Sequence, residues 1–176
     1  MSETNEGHRF DRLPATSATR EVTGRATREE VLDHLETRYG IDPRMFGAYT
    51  FWEKGAGKVW ALRGMVESPI AVEALGIHLL RTRQRHWKLT TDGAQLIGRW
   101  ATRNVLVVPP EIAARFWAGE KATIDATVND GYVIVAQELV SGPEPLGVGT
   151  YLDGTLQSMV PKGRRRDLPA LPSRSG

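Results

Sequence analysis

Residues 131–164, with the sequence GYVIVAQELVSGPEPLGVGTYLDGTLQSMVPKGR, decide the fold of this chain. β-Branched and aromatic residues are concentrated in segments 132–137, 145–151 and 155–160, a composition typical of strands. An Asp-Gly pair separates the last two segments and is a strong signal for a tight hairpin turn. Together with a further segment at residues 122–128, these patterns predict a β-rich module in the second half of the chain.

Short helices and strands precede this module. Residues 75–80 and 104–108 are apolar runs of strand length. Between them, Thr90 or Thr91 is suited to cap a short helix. Another helix is predicted at residues 111–117, because prolines precede this segment and a glycine follows it.

The first half of the chain contains a helix signal followed by a hairpin signal. Thr27 and Glu30 have the spacing of a capping box, in which each side chain bonds the other residue's backbone N–H. Gly40 is suited to end this helix. Aromatic and β-branched segments at residues 48–53 and 58–63 then predict a hairpin. Helix and hairpin together predict a small α/β unit.

These segments divide the chain into four parts. Residues 1–25 are polar and are expected to form a flexible arm, followed by the small α/β unit at residues 26–64. The β-rich domain is expected at residues 65–166. Residues 167–176 are rich in Pro, Ser and Arg and are expected to form a disordered tail.

A family resemblance rests on an ordered set of short motifs, which are GYVIV at 131–135, PLGVG at 145–149, DGTL at 153–156 and PKGR at 161–164. This set resembles the C-terminal PUA-like RNA-binding domain of RNA cytosine-C5 methyltransferases, of the ribosomal-RNA small-subunit methyltransferase F type. The resemblance covers residues 64–166, and residues 27–63 resemble the unit that precedes PUA-like domains. It implies an α+β protein, with a small N-terminal α/β unit followed by a PUA-like mixed β-barrel with short helices.

The residue types for the family's chemistry are missing from the sequence. The family uses a cysteine nucleophile on a large S-adenosylmethionine-binding domain, whereas this chain of 176 residues contains no cysteine and leaves no room for that domain. The absence of cysteine also excludes disulfides and cysteine-ligated zinc, and no histidine pair has helical metal-ligand spacing. We therefore expect a protein that is not an enzyme and needs neither cofactor nor metal, although a small-molecule enzyme on the same fold is a lesser alternative.

Positive charge is segregated along the chain. The net charge is only +2, but residues 79–104 carry six basic residues against Asp92, and residues 161–176 carry five against Asp167. The remainder of the chain is therefore acidic. Such segregation is typical of a surface that faces a polyanion, and the alternative is a set of solvated surfaces.

The first basic cluster contains arginines at alternate positions. Arg81, Arg83 and Arg85 would share one face of a strand, where each guanidinium can contact a phosphate. Trp87 can stack an unpaired base, or it can belong to the core. The full set of candidate RNA-binding residues is Arg81, Arg83, Arg85, His86, Trp87, Lys88, Arg99, Arg103, Lys162, Arg164 and Arg165.

Two glycines interrupt a predicted strand. Gly147 and Gly149 lie in the PLGVG motif, and glycines within strands mark a bulge or a close backbone approach. The approaching group is either RNA or another strand of the fold.

The combined interpretation is a non-catalytic RNA-binding protein that serves as an accessory factor in rRNA or tRNA modification or maturation. Its expected partners are RNA and an RNA-modifying enzyme such as a methyltransferase. The alternative is a protein-interaction subunit that docks onto such an enzyme. The sequence has no apolar run of membrane-span length and no signal-peptide pattern at its start, so a cytoplasmic location without membrane contact is expected.

Overall fold

The computed structural model describes residues 9–165 and has an α+β architecture, which confirms the α+β part of the predicted fold. Its helices are α1 (Arg28–Tyr39), α2 (Thr91–Ile97) and α3 (Pro110–Trp117). Its strands are β1 (Arg9–Arg12), β2 (Tyr49–Lys54), β3 (Lys58–Arg63), β4 (Ile70–Ala71), β5 (Ile77–Arg81), β6 (Lys88–Leu89), β7 (Val105–Val108), β8 (Lys121–Thr123), β9 (Gly131–Leu139), β10 (Gly142–Leu152) and β11 (Thr155–Ser158). Four 3₁₀ turns lie at Ser17–Thr19, Pro43–Phe46, Gly98–Trp100 and Lys162–Arg164. The strands form a six-stranded and a five-stranded sheet.

Helix α1 begins and ends where the sequence predicts. The Thr27 hydroxyl accepts from the Glu30 N–H at 3.1 Å, and the Glu30 carboxylate accepts from the Thr27 N–H at 3.0 Å. Gly40 follows the helix with φ 63°, the left-handed conformation that glycine adopts without steric cost. The helix is amphipathic and buries Val31, Leu35 and other apolar side chains of one face.

The six-stranded sheet has the order β4-β1-β2-β3-β5-β6, with antiparallel pairing throughout. The predicted β2–β3 hairpin is confirmed, with Tyr49 opposite Arg63. Strands β5 and β6 continue this sheet beyond β3, so the sheet extends across the domain boundary that was predicted between residues 64 and 65. The predicted division separates strands that hydrogen-bond to one another.

The described residues of the predicted N-terminal arm are structured, in contrast to the expectation. Strand β1 pairs with β2 and β4, and Phe10 is fully buried with its ring 5.3 Å from the Trp60 ring. A single large apolar residue between charged neighbours left no periodic signal in the sequence, but tertiary contacts bury it. The predicted arm residues 1–8 and the predicted tail residues 167–176 lie outside the described residues.

The five-stranded sheet has the order β7-β9-β10-β11-β8. Strands β9 and β10 form a long antiparallel hairpin, and β7 lies parallel to β9. Asp153 and Gly154 have φ of 48° and 80°, as the predicted tight turn between β10 and β11 requires. The segment predicted as a strand at residues 122–128 is regular only over Lys121–Thr123, where it pairs with β11.

Two of the three apolar clusters in the described residues hold the sheets and helices together. The larger cluster joins α1 and α2 to both sheets, and includes Leu35, Leu79, Ile97 and Ile134, each fully buried. The smaller cluster packs Phe116 of α3 against the five-stranded sheet. Because the larger cluster contains residues of both predicted units, the two halves of the chain share one core.

The glycines of the PLGVG motif are positions of close contact within the protein. A Cβ at Gly149 would lie 2.7 Å from Leu156 Cδ1 and 2.9 Å from the Gln157 carbonyl oxygen, both on β11. A Cβ at Gly147 would lie 3.4 Å from Thr91 Cγ2, and the ladder shifts register between Pro145 and Gly147. The close approach at Gly149 is therefore to a neighbouring strand.

We expect Gly149→Ala to lower the free energy of unfolding by about 1–3 kcal/mol, because the new methyl group overpacks the contact with β11. Urea unfolding followed by circular dichroism measures this change. Gly163→Ala is the control, since a Cβ there meets no atom within 4 Å. Equal stability of the two variants would contradict a tight contact at Gly149.

Candidate nucleic-acid interface

Arg83 and Arg85 lie on a loop that follows Arg81, so the predicted row of three guanidiniums along one strand is wrong. Strand β5 ends at Arg81, and residues 82–87 bend before β6 begins. The Thr82 N–H donates to the Gly57 carbonyl at 2.8 Å, and Arg83 packs directly against Gly57. Because of these contacts with the β2–β3 turn, the chain leaves the direction of β5 after Arg81. Arg83 and Arg85 therefore lie in the connection between β5 and β6.

The cluster nevertheless concentrates positive charge. Arg81 lies opposite Lys58 on one side and Lys88 on the other. Burial lowers the pKa of the Lys88 ammonium, and the neighbouring Arg81 guanidinium lowers it further. Arg81, Arg83 and Arg85 are exposed. We define the basic loop as residues 81–88; an anion bound there would relieve repulsion between its cations.

The basic loop borders a groove that residues distant in sequence complete. The groove has a volume of about 720 Å³ and lies between α1, the basic loop and the start of β9. We call it the α1–β9 groove. It is lined by Glu30, Asp33, His34, Thr37, Arg38, Tyr39, Arg85, His86, Trp87, Asp130, Gly131, Tyr132 and Thr150. Only Arg85, His86 and Trp87 of this set were predicted from the sequence.

Aromatic side chains form much of the groove surface. The His34 and Trp87 rings lie 5.2 Å apart at an angle of 49°. Trp87 is half-buried, so it both packs against the core and contributes to the groove. The Tyr132 hydroxyl donates to Gln84 Oε1 at 3.4 Å, and Lys88 Nζ lies 5.9 Å from the Tyr132 ring centroid.

Arg38 fixes the two walls of the groove relative to each other. Its Nε and Nη2 donate to the Tyr132 carbonyl at 3.1 and 2.7 Å, and Nη2 also donates to the Asn129 and Asp130 carbonyls. The Arg38 carbonyl in turn accepts from Asn104 Nδ2 at 2.7 Å. The start of β9 is thereby tied to the last turn of α1.

The groove presents neutral rings at physiological pH. Burial raises the pKa of the Tyr39 phenol to about 12, with a partly opposing effect from Arg38. The Tyr39 hydroxyl is inaccessible to solvent, and the Arg38 guanidinium lies close enough to interact with it. Burial and the nearby Arg38 charge lower the pKa of His34, so its imidazole is neutral near pH 7.

Carboxylates also line the groove. Glu30 is engaged by Arg20 and by the N-terminus of α1. Asp33 and Asp130 are exposed and form no salt bridge with any part of the chain from residue 9 to residue 165. The lining of the groove therefore combines carboxylates and aromatic rings with the guanidinium groups of Arg38 and Arg85.

The remaining residues of the first predicted cluster lie elsewhere. Arg99 and Arg103 line a separate depression of about 540 Å³ that shares no lining residue with the α1–β9 groove. Arg103 Nη2 donates to the Glu36 carbonyl at 2.5 Å and so contributes to the attachment of α1.

The second predicted cluster is engaged in contacts within the chain. Arg164 pairs with Asp92 at 2.8 Å, and Arg165 Nε donates to the Val160 carbonyl at 3.0 Å while its guanidinium covers Gly119. Lys162 is exposed. None of these three residues lines the α1–β9 groove.

Over residues 9–165, no group of three or more His, Asp or Glu side chains is arranged to hold a metal ion. No helix in the same range has the length and apolar character needed to cross a membrane.

Comparisons with known proteins give a family model and a curated relative. The model of a family of unknown function (DUF7122) matches residues 1–76. The chain is 24% identical over 163 residues to the ribosomal RNA small subunit methyltransferase F of Aeromonas salmonicida (strain A449). This alignment covers 90% of the chain but only 30% of that methyltransferase. The two proteins thus share a distantly related region.

Proposed function

We propose that this protein binds ribosomal or transfer RNA without catalysing a reaction, as an accessory factor in RNA modification or maturation. The observation that carries the proposal is the junction of the basic loop with the aromatic α1–β9 groove. Phosphates are recognised by arginine and lysine, whereas unpaired bases are recognised by stacking and by hydrogen bonds to their edges. The junction offers both kinds of contact on one surface.

The basic loop supplies the phosphate contacts. Its Arg81, Arg83 and Arg85 side chains are exposed, and Arg81 lies beside Lys88. Guanidinium groups bind phosphate oxygens through paired hydrogen bonds. Arg99, Arg103, Lys162 and the engaged Arg164 and Arg165 are secondary in this proposal, since they lie neither in the basic loop nor in the lining of the groove.

The similarity to a ribosomal RNA methyltransferase supports RNA as the ligand, because it extends over 90% of the chain. We assign residues 65–166 to a PUA-like domain on the motifs given above. Binding rather than catalysis is proposed because the resemblance implies a cysteine nucleophile and the sequence contains no cysteine. A cytoplasmic location is part of the same proposal.

A second candidate function is docking onto an RNA-modifying enzyme. It is favoured by apolar side chains exposed on the five-stranded sheet and its turns. These are Val107, Leu139, Val140 and Leu152, with exposed fractions between 42% and 110%. Such side chains would contribute apolar contact area to a protein interface.

Binding of a total RNA pool across a salt series tests the proposed function. Contacts to three or four phosphates predict a slope of about −3 in the logarithm of affinity against the logarithm of salt concentration. No retention of RNA at low salt would overturn the proposal. A protein that co-purifies after nuclease treatment would favour the docking function instead.

A further inference from the structure

Strand β7 has a free outer edge. It is the first strand of the five-stranded sheet and pairs only with β9, to which it runs parallel. The Ile134 N–H donates to the Asn104 carbonyl at 3.0 Å, and in this register Leu106 is the next residue whose backbone groups face β9. The N–H and C=O groups of Val105 and Val107 therefore point away from the sheet, and in the described part of the chain they are bonded to no other backbone group.

A second segment beside β7 also lacks backbone partners. Residues 125–128 follow β8 and form no backbone–backbone hydrogen bond within the described residues. Alternate residues, Ala126 and Val128, are half-buried against the smaller apolar cluster, as in an extended chain that presents one side to a core. Asn104 Oδ1 accepts from the Asn129 N–H at 2.9 Å and joins this segment to the start of β7.

A depression of about 540 Å³ is lined by both of these segments, and we call it the β7 depression. Its lining combines Val105 and Val107 of β7 with residues 127–129. Pro143 and Pro145 of β10 add apolar surface, as does the exposed Val107 side chain. The depression thus offers free backbone groups beside an apolar surface, which are the two features that an added strand uses.

The charged residues in the lining of the β7 depression are basic. Arg99 and Arg103 are both exposed, and the lining contains no Asp or Glu. Neither guanidinium forms a salt bridge with a carboxylate in the described part of the chain. An acidic ligand is therefore attracted. A second copy of the chain is disfavoured, because pairing of two β7 strands would bring these arginines together with their counterparts.

We propose that the β7 depression binds an extended acidic segment of a partner protein, which adds to the sheet as a strand beside β7. The free groups of Val105 and Val107 form the backbone hydrogen bonds, and Arg99 and Arg103 select acidic side chains. A polynucleotide has no alternating row of N–H and C=O groups to match such an edge. The inference rests on the docking function and is independent of RNA binding, since the β7 depression shares no lining residue with the α1–β9 groove.

Binding of short peptides to the full chain tests this proposal. The probe is a fluorescent heptapeptide of alternating glutamate and valine, and its control has lysine in place of glutamate. Both favour an extended conformation because valine is β-branched. Fluorescence anisotropy should show that the glutamate peptide binds about 10-fold more tightly than the lysine peptide, because only its charge complements the arginines.

Amide hydrogen exchange measured by NMR identifies the strand that the peptide joins. With saturating glutamate peptide, exchange of the Val105 and Val107 N–H groups should slow by about 10-fold or more, because both become hydrogen-bonded. The Leu106 N–H is the internal control, since it already faces β9 and its exchange should not change.

Two variants separate charge from backbone pairing. Arg99→Glu should weaken the glutamate peptide about 10-fold, whereas Arg63→Glu makes the same change of charge at an exposed position outside the lining and should have little effect. Val107→Pro removes a free N–H that points away from β9, so it should weaken the peptide while the sheet persists.

Several outcomes would overturn strand addition at β7. These are equal affinity for the two peptides, binding of neither, or exchange at Val105 and Val107 that the bound peptide does not slow. Slower exchange at these amides without peptide, increasing with protein concentration, would show instead that a second copy occupies the edge. A partner protein that co-purifies equally well with Arg99→Glu would leave the docking function standing and overturn its placement here.

RNA binding is distinguished by the same variants. If Arg99→Glu weakens binding of the total RNA pool as strongly as Arg81→Glu, the β7 depression belongs to the RNA surface, and the inference fails while RNA binding stands. A chain that binds the glutamate peptide but no RNA would overturn the proposed RNA function alone.

Discussion

Replacing Arg81, Arg83 and Arg85 together with glutamate is expected to weaken RNA binding about 100-fold at moderate salt. Each replacement removes a phosphate contact and adds a charge that repels the backbone. The three side chains are exposed, so the fold should persist. Fluorescence anisotropy with an rRNA fragment measures the affinity, and the slope of its salt dependence should fall as well, because fewer counterions are released.

A matched triple variant distinguishes the effect of where the basic residues lie from the effect of the net charge of the protein. Arg44, Arg63 and Lys121 are also exposed and lie outside the α1–β9 groove, and their replacement with glutamate makes the same change of charge. We expect this control to lose only a small part of the affinity through the weaker overall field. Equal losses in the two triples would show that RNA responds to net charge alone and would argue against the basic loop as the interface.

Replacing Arg38 with methionine is expected to lower the free energy of unfolding by about 2–4 kcal/mol. The change removes a charged donor from three backbone carbonyls at the start of β9, and hydrogen bonds to charged groups are among the stronger ones in proteins. Without the Arg38 guanidinium, some of these carbonyl groups have no hydrogen-bond partner at a half-buried site. Urea unfolding monitored by tryptophan fluorescence measures the loss.

Two further variants test whether the hydrogen bonds of the Arg38 guanidinium account for this loss of stability. Arg63→Met removes an exposed arginine at the end of β3 and should change stability by less than about 0.5 kcal/mol. Arg38→Lys should recover only part of the stability, because one ammonium group does not reproduce the planar fork of a guanidinium. Full stability of Arg38→Lys would show that charge, rather than the paired geometry, holds β9 to α1.

Local signals in the sequence predicted the local structure well. The Thr27 and Glu30 capping box, the β2–β3 hairpin and the Asp153-Gly154 turn all depend on residues within a few positions of one another. Their geometry is fixed by backbone preferences and short-range hydrogen bonds, which residue types reveal directly. Strand β1 was not predicted, because its burial depends on Trp52 and Trp60, which are distant in the sequence.

The candidate site was predicted only in part. Arg85, His86 and Trp87 were singled out because basic and aromatic residues are adjacent in the sequence. His34, Arg38 and Tyr39 gave no such signal, because they lie within an ordinary amphipathic helix. Arg38 donates to the backbone carbonyl of Tyr132, which is 94 positions away. Every residue has a backbone carbonyl, so the residue types in the sequence do not indicate this contact.

The sequence by itself determined the α+β class, the segregation of positive charge and the caps and turns of the main elements, because each depends on composition or on neighbouring residues. The tertiary structure alone decided that Arg83 and Arg85 leave the path of β5, since the β2–β3 turn binds Thr82 and packs against Arg83. It also decided that α1 meets the start of β9 and so forms a groove. This contact depends on packing between segments that are distant in the sequence. Short sequence patterns therefore do not predict it.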